Sequence, residues 1–269
     1  MKKFIFAVFV AALSTIGQAT NFAGLKIYIN PGHGGWDAND RNIQTINHAL
    51  GDTLGFYESK SNLIKGLFLR DLLQQAGATV YISRTLNRTE DDRVLSQIAE
   101  EANANSVDAF ISIHSNAIGT SNIGTNYLLL LYHGPDNQPV VPQSLALCQA
   151  AWPRLMTNRL AAWSHYTTTT NNRGDHSFYG NTTGLGVLRP LTVPGYLSEG
   201  SFHDYMPEAH RLLNSDYCRL EALNIYRSYC DYFQRALPVR GEIAGWVKSE
   251  DVQMNHPLFT FINGSEDQW

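Results

Sequence analysis

Short apolar runs alternate with longer stretches of helical periodicity along most of the chain. Five of these runs are rich in β-branched and aromatic residues, a composition typical of buried strands. They cover residues 26–30, 79–83, 109–114, 127–132 and, approximately, 195–198. Strands that alternate with helices usually form βαβ units. The pattern therefore predicts an α/β fold built on a mainly parallel sheet.

Four amphipathic stretches lie between and after the predicted strands. In the first, at 62–76, leucines recur at three- and four-residue steps, and Gly77 ends the pattern. The others cover 93–105, 142–162 with an interruption or restart at Pro153, and approximately 213–233. We expect each stretch to form an amphipathic helix.

The two ends of the chain differ from this central pattern. Lys2 and Lys3 precede an apolar run, and Gly17-Gln18-Ala19 offers a cleavage site of small residues, which together predict a signal peptide at 1–19. The apolar run is shorter than the roughly 20 residues that span a bilayer. No later segment is long and apolar enough to span one, so no membrane segment is expected after the signal is removed. We expect one large domain at 20–236. Short β-like pieces at 237–269 indicate a linker and the start of a small β module.

The net charge of the chain argues against two classes of binding partner. The formal net charge is −4, and removal of two lysines with the signal peptide leaves 18 basic against 24 acidic residues, or −6. A mildly acidic chain without basic clusters argues against nucleic acid as a main partner. It also gives no electrostatic reason to bind an anionic membrane surface.

Three cysteines give little support to a disulfide framework or a thiolate metal site. Cys218 and Cys230 are 12 residues apart in one predicted helix, which separates them by about 18 Å and excludes a bond between them. Cys148 could pair with either. An odd count without a Cys-x-x-Cys motif is typical of neither class of site.

Titratable residues concentrate where the predicted strands end. His33 comes just after a strand, His114 ends a strand, Glu199 closes another, and Glu58 lies just before the first predicted helix. Because parallel strands end at one rim of a sheet, these side chains are expected to meet there. Two histidines and a carboxylate suit zinc, and a further carboxylate can act as general base.

Each of these residues also has a simpler explanation. A lone histidine at a strand end is often structural, Glu58 could stabilise a helix N-terminus, and Glu199 could lie in a solvated loop. The short metal motif His-Glu-x-x-His is absent. His176 is the alternative ligand if Glu58 is not one, His203 could border the cleft, and the remaining histidines, His133 among them, are expected to be structural.

Four blocks, taken together and in order, resemble a known family. They are NPGHGG at 30–35, a glutamate before a helix at 58, ISIHSNA at 111–117 and VLRPLTVPGYLSEGSFHD at 187–204. Over about residues 25–235 the chain resembles the zinc-dependent N-acetylmuramoyl-L-alanine amidases of the amidase-3 type. The resemblance implies Zn²⁺ ligands His33, Glu58 and His114, with Glu199 as the catalytic carboxylate. It also implies a twisted, mostly parallel sheet with helices on both faces.

The expected function follows from the resemblance. It implies hydrolysis of the amide bond between N-acetylmuramic acid and L-alanine in peptidoglycan, in a periplasmic or extracellular location. Two alternatives stay open: a zinc peptidase that cuts stem or other peptides, and a non-catalytic module that binds peptidoglycan or has a regulatory role. The oligomeric state is not indicated.

Three departures from the family pattern affect these expectations. Asn30 stands where the family usually has Asp, which could weaken support of the first histidine. After Glu199 the family usually continues Gly-Phe, whereas this chain has Gly200-Ser201-Phe202. The segment 143–179 is unusual in length and composition, so no substrate contact is carried over to it.

Overall fold

The computed structural model describes residues 22–36, 42–43, 56–119, 124–157 and 172–238. The predicted signal peptide and nearly all of the predicted β module lie outside these ranges, and the division into domains stays a prediction. Within the described ranges, no helix has both the length and the apolar character that a bilayer span requires.

A six-stranded sheet forms the centre of the molecule, with strand order β4-β1-β5-β8-β6-β7. Strands β4, β1, β5 and β8 are parallel, β6 is antiparallel to β8, and β7 is parallel to β6. Two short strands, β2 and β3, form a separate antiparallel pair. The bounds are β1 Lys26–Pro31, β2 Asn42–Ile43, β3 Phe56–Tyr57, β4 Thr79–Ile82, β5 Ala109–Asn116, β6 Leu129–Tyr132, β7 Asn172–Gly174 and β8 Gly195–Phe202. The predicted mostly parallel sheet is confirmed.

Six α-helices accompany the strands of the described chain. They are α1 Glu58–Gln75, α2 Leu95–Ala104, α3 Gln143–Thr157, α4 Asp175–Tyr179, α5 Met206–Leu212 and α6 Ser215–Tyr232. Helix α1 begins four residues earlier than predicted, and α3 continues through Pro153. The last predicted helix begins slightly later, because Asn214 caps α6 by accepting a hydrogen bond of 2.8 Å from the Asp216 N–H. The residues before this cap form the separate helix α5.

Helices cover both faces of the sheet, as expected. Side chains alternate along each strand, so Ile27 and Ile29 face one core while Tyr28 faces the other. The first core includes residues of α1, α3 and α6, and the second includes α2 and the segment 187–191. Cys148, Cys218 and Cys230 are buried and free, so the open possibility of a bond from Cys148 is not realised.

A β-bulge follows Glu199 on β8. His114 pairs with Glu199 and Asn116 pairs with Phe202, so β5 advances by two residues while β8 advances by three. The extra residue falls in the Gly200-Ser201 stretch, where the sequence departs from the family pattern. Bulges of this kind reorient side chains and are frequent beside active sites.

A buried ion pair joins α1 to α6 beneath this bulge. Lys65 Nζ lies 2.7 Å from Glu221 Oε2, and both side chains are almost fully buried. Burial alone would lower the pKa of Lys65, but the Glu221 carboxylate raises it above its ordinary value, so the amine stays charged. A Cβ at position 200 would lie 2.5 Å from Glu221 Oε1, which explains the glycine there.

Replacing Lys65 by Met is expected to lower the free energy of unfolding by about 3–5 kcal/mol, because Glu221 becomes an uncompensated buried charge. The double replacement Lys65→Met with Glu221→Leu should recover most of that loss. Urea denaturation measures both, with the exposed Lys60→Met on the same helix as control. A cost below about 1 kcal/mol for Lys65→Met would contradict the burial argument.

Candidate metal centre

The turn after β1 brings His33 against His114. The Gly32 N–H donates a hydrogen bond of 2.9 Å to the Ile113 carbonyl, and a side chain at position 32 would overlap the His114 imidazole. His33 has φ 60°, a left-handed conformation that is uncommon for a residue with a side chain. The two imidazoles lie nearly perpendicular, with ring centroids 5.0 Å apart.

Buried Arg84 fixes this turn to the start of α1. Its guanidinium donates hydrogen bonds to the backbone carbonyls of Pro31 at 2.9 Å, Gly32 at 3.0 Å and Ser59 at 2.6 Å. The segments that carry His33 and Glu58 are therefore held together from behind. Arg84 was not among the predicted site residues, since its only signal was its position directly after a predicted strand.

Glu58, the first residue of α1, lies between the two histidines. Its Oε2 is 3.2 Å from His33 Nε2, and its Oε1 is 3.1 Å from His114 Nδ1. The Ser115 N–H and the Asn62 side-chain amide donate to Oε1 at 2.9 and 3.2 Å. Burial alone would raise the pKa of Glu58, but the charge of His33 and hydrogen bonds from His114 and His33 hold it well below its usual range. The buried carboxylate is therefore ionised.

The other ring nitrogen of His114 faces a chain of polar side chains. His114 Nε2 lies 3.0 Å from Ser112 Oγ, and the Asn30 amide donates to that same oxygen at 2.8 Å. Asn30 thus supports His114 through Ser112, and it also accepts a hydrogen bond of 2.7 Å from Ser83. Burial lowers the pKa of His114 despite the opposing attraction of Glu58. A neutral imidazole is the form that binds metals.

These three side chains fit a divalent metal ion. One ligand atom from each of His33, Glu58 and His114 lies within 4.8 Å of the others. Ligands about 2.0–2.1 Å from a tetrahedral zinc ion are about 3.3 Å apart, close to the nitrogen–oxygen distances found here. Among the described residues the donor set consists of two imidazoles and one carboxylate, the type used by catalytic zinc sites with three protein ligands.

Glu199 lies beside this cluster on the neighbouring strand. It pairs directly with His114 across β5 and β8, and both line a cleft of about 680 Å³ that His33 and Glu58 also line. The structure thus brings all four predicted site residues to one cleft. Their roles as ligands and general base stay predictions.

His203 also borders the cleft, as anticipated. Its Nδ1 lies 2.9 Å from Ser115 Oγ and 3.8 Å from Glu58 Oε2. Burial lowers the pKa of His203, so the ring is neutral near pH 7. His176, the alternative ligand, is not part of this centre and lies in a separate cluster with His133 and Asp175.

The walls of the cleft differ in character. One side is apolar and includes Ile98, Val187 and the half-exposed Leu95, whereas Arg84 and Arg93 contribute charge. A cleft of this size accommodates a ligand larger than a single amino acid. The arrangement suits a substrate that combines apolar and polar groups.

Comparison with known sequences agrees with this geometry. Residues 27–228 match the profile of the Amidase_3 family, described as N-acetylmuramoyl-L-alanine amidase. N-acetylmuramoyl-L-alanine amidase CwlM of Bacillus licheniformis is 26% identical over 226 residues, which cover 83% of this chain and 73% of CwlM. An uncharacterized cell wall amidase of Bacillus anthracis is 26% identical over 220 residues, but the chain spans only 36% of that protein.

Solved structures share the fold. The N-acetylmuramoyl-L-alanine amidase from Clostridium difficile 630 superposes with a TM-score of 0.60 at 24% identity, covering 80% of this chain and 98% of that one. AmiC2 of Nostoc punctiforme gives a TM-score of 0.60 at 23% identity, with coverage of 79% and 99%. Since the family profile matches most of the sequence, the chain belongs to the Amidase_3 family of N-acetylmuramoyl-L-alanine amidases.

Proposed function

We propose that this protein hydrolyses the amide bond between the lactyl group of N-acetylmuramic acid and L-alanine in peptidoglycan. In this proposal His33, Glu58 and His114 hold a Zn²⁺ ion, and Glu199 is the general acid–base. The protein acts outside the cytoplasm, where an export signal at 1–19 would deliver it and where its polymeric substrate lies.

One observation carries the proposal. Three residues from separate segments, the turn after β1, the start of α1 and the end of β5, converge as a compact donor set beside Glu199. A purely structural role for each residue does not require that all four face the same open cleft. Membership of the family then supplies the bond that such a site cleaves.

The chemical role of each group in the proposed reaction follows from its position in the site. A bound zinc ion supplies Lewis acidity and makes hydroxide available near neutral pH. Glu199, on the strand next to His114, accepts the proton of the attacking water. It then returns that proton to the amine of the departing L-alanine, which completes the hydrolysis.

The residues behind the ligands restrict how far the site can relax. Arg84 clamps the turn that carries His33, while Ser115 and Asn62 fix Glu58 by hydrogen bonds. A donor set held by such partners is preorganised, so little reorganisation accompanies metal binding. Replacement of these supporting partners typically costs 10–100-fold in metal affinity or activity.

Two alternatives remain to be separated from this function. A zinc peptidase that cleaves stem or other peptides would use the same residues, and the products alone distinguish it. A non-catalytic peptidoglycan-binding module would bind sacculi without releasing any product. The complete set of four residues favours an enzyme over a binding module.

Digestion of purified sacculi tests the proposal directly. We expect mass spectrometry to find glycan strands with free lactyl carboxylates together with intact stem peptides that begin with L-alanine. Chelator should stop the reaction and added Zn²⁺ should restore it, since the proposed chemistry depends on the ion. Cleaved stems that remain attached to muramic acid would show a peptidase, and the absence of both products would show a binding module.

A further inference from the structure

A second cluster of metal-binding side chains lies at the opposite rim of the sheet. His133 directly follows β6, and Asp175 directly follows β7. These two strands are parallel, with Tyr132 paired to Gly174, so the next residues on each strand are neighbours. His176 completes the group, and one ligand atom from each of the three residues lies within 4.8 Å of the others.

Like the first cluster, the second combines two imidazoles with one carboxylate, and the arrangement of the side chains is similar. His133 Nδ1 lies 3.2 Å from Asp175 Oδ2, and His176 Nε2 lies 3.8 Å from Asp175 Oδ1. The two imidazoles are nearly perpendicular, with ring centroids 4.7 Å apart at 86°. The imidazoles of His33 and His114 show the matching values of 5.0 Å and 78°.

The carboxylate of Asp175 is fixed in place and fully buried. The N–H groups of Gly134 and Leu185 donate hydrogen bonds to it at 3.0 and 2.8 Å. Gly184, with φ +64°, lets the chain approach so closely that a side chain there would overlap the carboxylate. The backbone is thus shaped around a buried negative charge.

Within the described ranges, no lysine or arginine pairs with this buried carboxylate. The nearby Arg173 pairs instead with Asp136, at 2.9 Å. Among the described residues, only His133 and His176 lie within ion-pair distance of Asp175. Burying a carboxylate is costly without a cation beside it.

His176 points to the same conclusion. Its Nε2 is buried and has no hydrogen-bond partner in the part of the chain that the structure describes. Buried polar atoms are nearly always paired, so an imidazole nitrogen aimed at a carboxylate without a bond calls for a third group between them. A divalent cation accepts the lone pair of the imidazole and balances the carboxylate at once.

We propose that His133, Asp175 and His176 bind a second divalent metal ion of the zinc class. Two imidazoles and one carboxylate suit Zn²⁺, with the fourth position left to solvent. Both histidines retain some exposure, 14% and 17%, so an ion can reach the site from outside.

This second ion has an anchoring role, remote from the cleaved bond. Leu129 on β6 pairs with Glu199, and His133 lies four residues further on, about 13 Å away along the strand. The cluster nevertheless adjoins one wall of the cleft, because Tyr179 at the far end of α4 and Leu185 both line it. The ion ties the segment 175–187 to the end of β6 and so fixes that wall.

Metal counting by native mass spectrometry tests the proposal on the folded, full-length chain loaded with Zn²⁺. We expect two ions per chain in the wild type, one in His176→Gln and one in His114→Ala. His210→Gln, a buried histidine of α5 in neither cluster, should retain two. The double variant with His114→Ala and His176→Gln should bind none.

The outcomes separate this proposal from the proposed function. A single ion in the wild type and none in His114→Ala would overturn the second site while leaving the amidase centre intact. Those two proteins suffice for the decision even if His176→Gln fails to fold. Retention of two ions by His176→Gln would also overturn it.

Hydrogen exchange tests the anchoring role separately. Amides at 179–187 should exchange faster in His176→Gln than in the wild type, whereas His114→Ala should leave them unchanged. Unchanged exchange in a His176→Gln protein that has lost one ion would overturn the anchoring role.

Discussion

Glu199→Gln is expected to lower kcat on peptidoglycan by about 10²–10⁴-fold, the usual contribution of a general acid–base. Glutamine keeps the size of the side chain but cannot accept a proton from water. Because Glu199 lies beside the ligand cluster and is not one of its three members, the zinc content and the KM should change little. Turnover of soluble muropeptides and metal analysis of the same preparation measure both properties.

A matched control keeps this result specific. Glu100→Gln makes the same chemical change at an exposed position of α2 and should leave kcat unaltered. Undiminished turnover by Glu199→Gln would remove this residue from the proton-transfer role. Loss of one zinc ion by the same variant would instead assign Glu199 to the ligand set.

His114→Ala is expected to abolish both metal binding at the cleft and hydrolysis. His114 is one of the three proposed protein ligands, and its removal also frees Glu58 Oε1 from its closest imidazole contact. Loss of several kcal/mol of metal-derived stabilisation corresponds to a decrease in kcat/KM of about 10³-fold or more. The measurements are zinc per chain and release of free lactyl carboxylates.

Loss of zinc and activity in His114→Ala supports the ligand assignment only when this variant is folded. His210→Ala removes another buried imidazole, from α5, and should preserve both zinc content and activity. Circular dichroism of His114→Ala should match the wild type, because the strand that carries it is held on both sides by β1 and β8. A His114→Ala protein that keeps its full complement of zinc would refute the ligand assignment.

Much of the central sheet could be predicted from local pattern. The runs at 26–30 and 109–114 are apolar on both faces, as expected for central parallel strands covered by helices, and both correspond to observed strands. Those strands are parallel neighbours, so their carboxyl ends lie at the same edge of the sheet. This allowed the proximity of His33 and His114 to be predicted from the sequence. Glu58 was placed just before a helix and proved to be its first residue.

The far side of the sheet could not be predicted in the same way. Strand β7 has three residues, Asn172–Gly174, with neither apolar content nor alternation, so only its pairing with β6 makes it a strand. The reversed direction of β6 carries no signature in its own composition. Since neither strand β7 nor the antiparallel direction of β6 could be predicted, the proximity of His133 and Asp175 could not be predicted either.

Buried charged side chains are the other features of the structure that could not be predicted from the sequence. Arg84, Lys65 and Glu221 are polar residues that single-sequence patterns assign to the surface, yet all three are buried. Each is stabilised by partners distant in the chain, such as the carbonyl groups of Pro31 and Gly32 for Arg84. Tertiary pairing of this kind is invisible to periodicity.

The bulge after Glu199 determines which side chains lie on the same side of the sheet beyond this glutamate. With its extra residue, β8 keeps Glu199 next to His114 and still turns His203 toward Ser115. A relative one residue shorter at this point would retain the glutamate but present its next histidine to the opposite layer. In alignments of the family, the number of residues between the glutamate and the next histidine should therefore be compared. Where that number differs by one, identical residues in the alignment lie on opposite faces of the sheet.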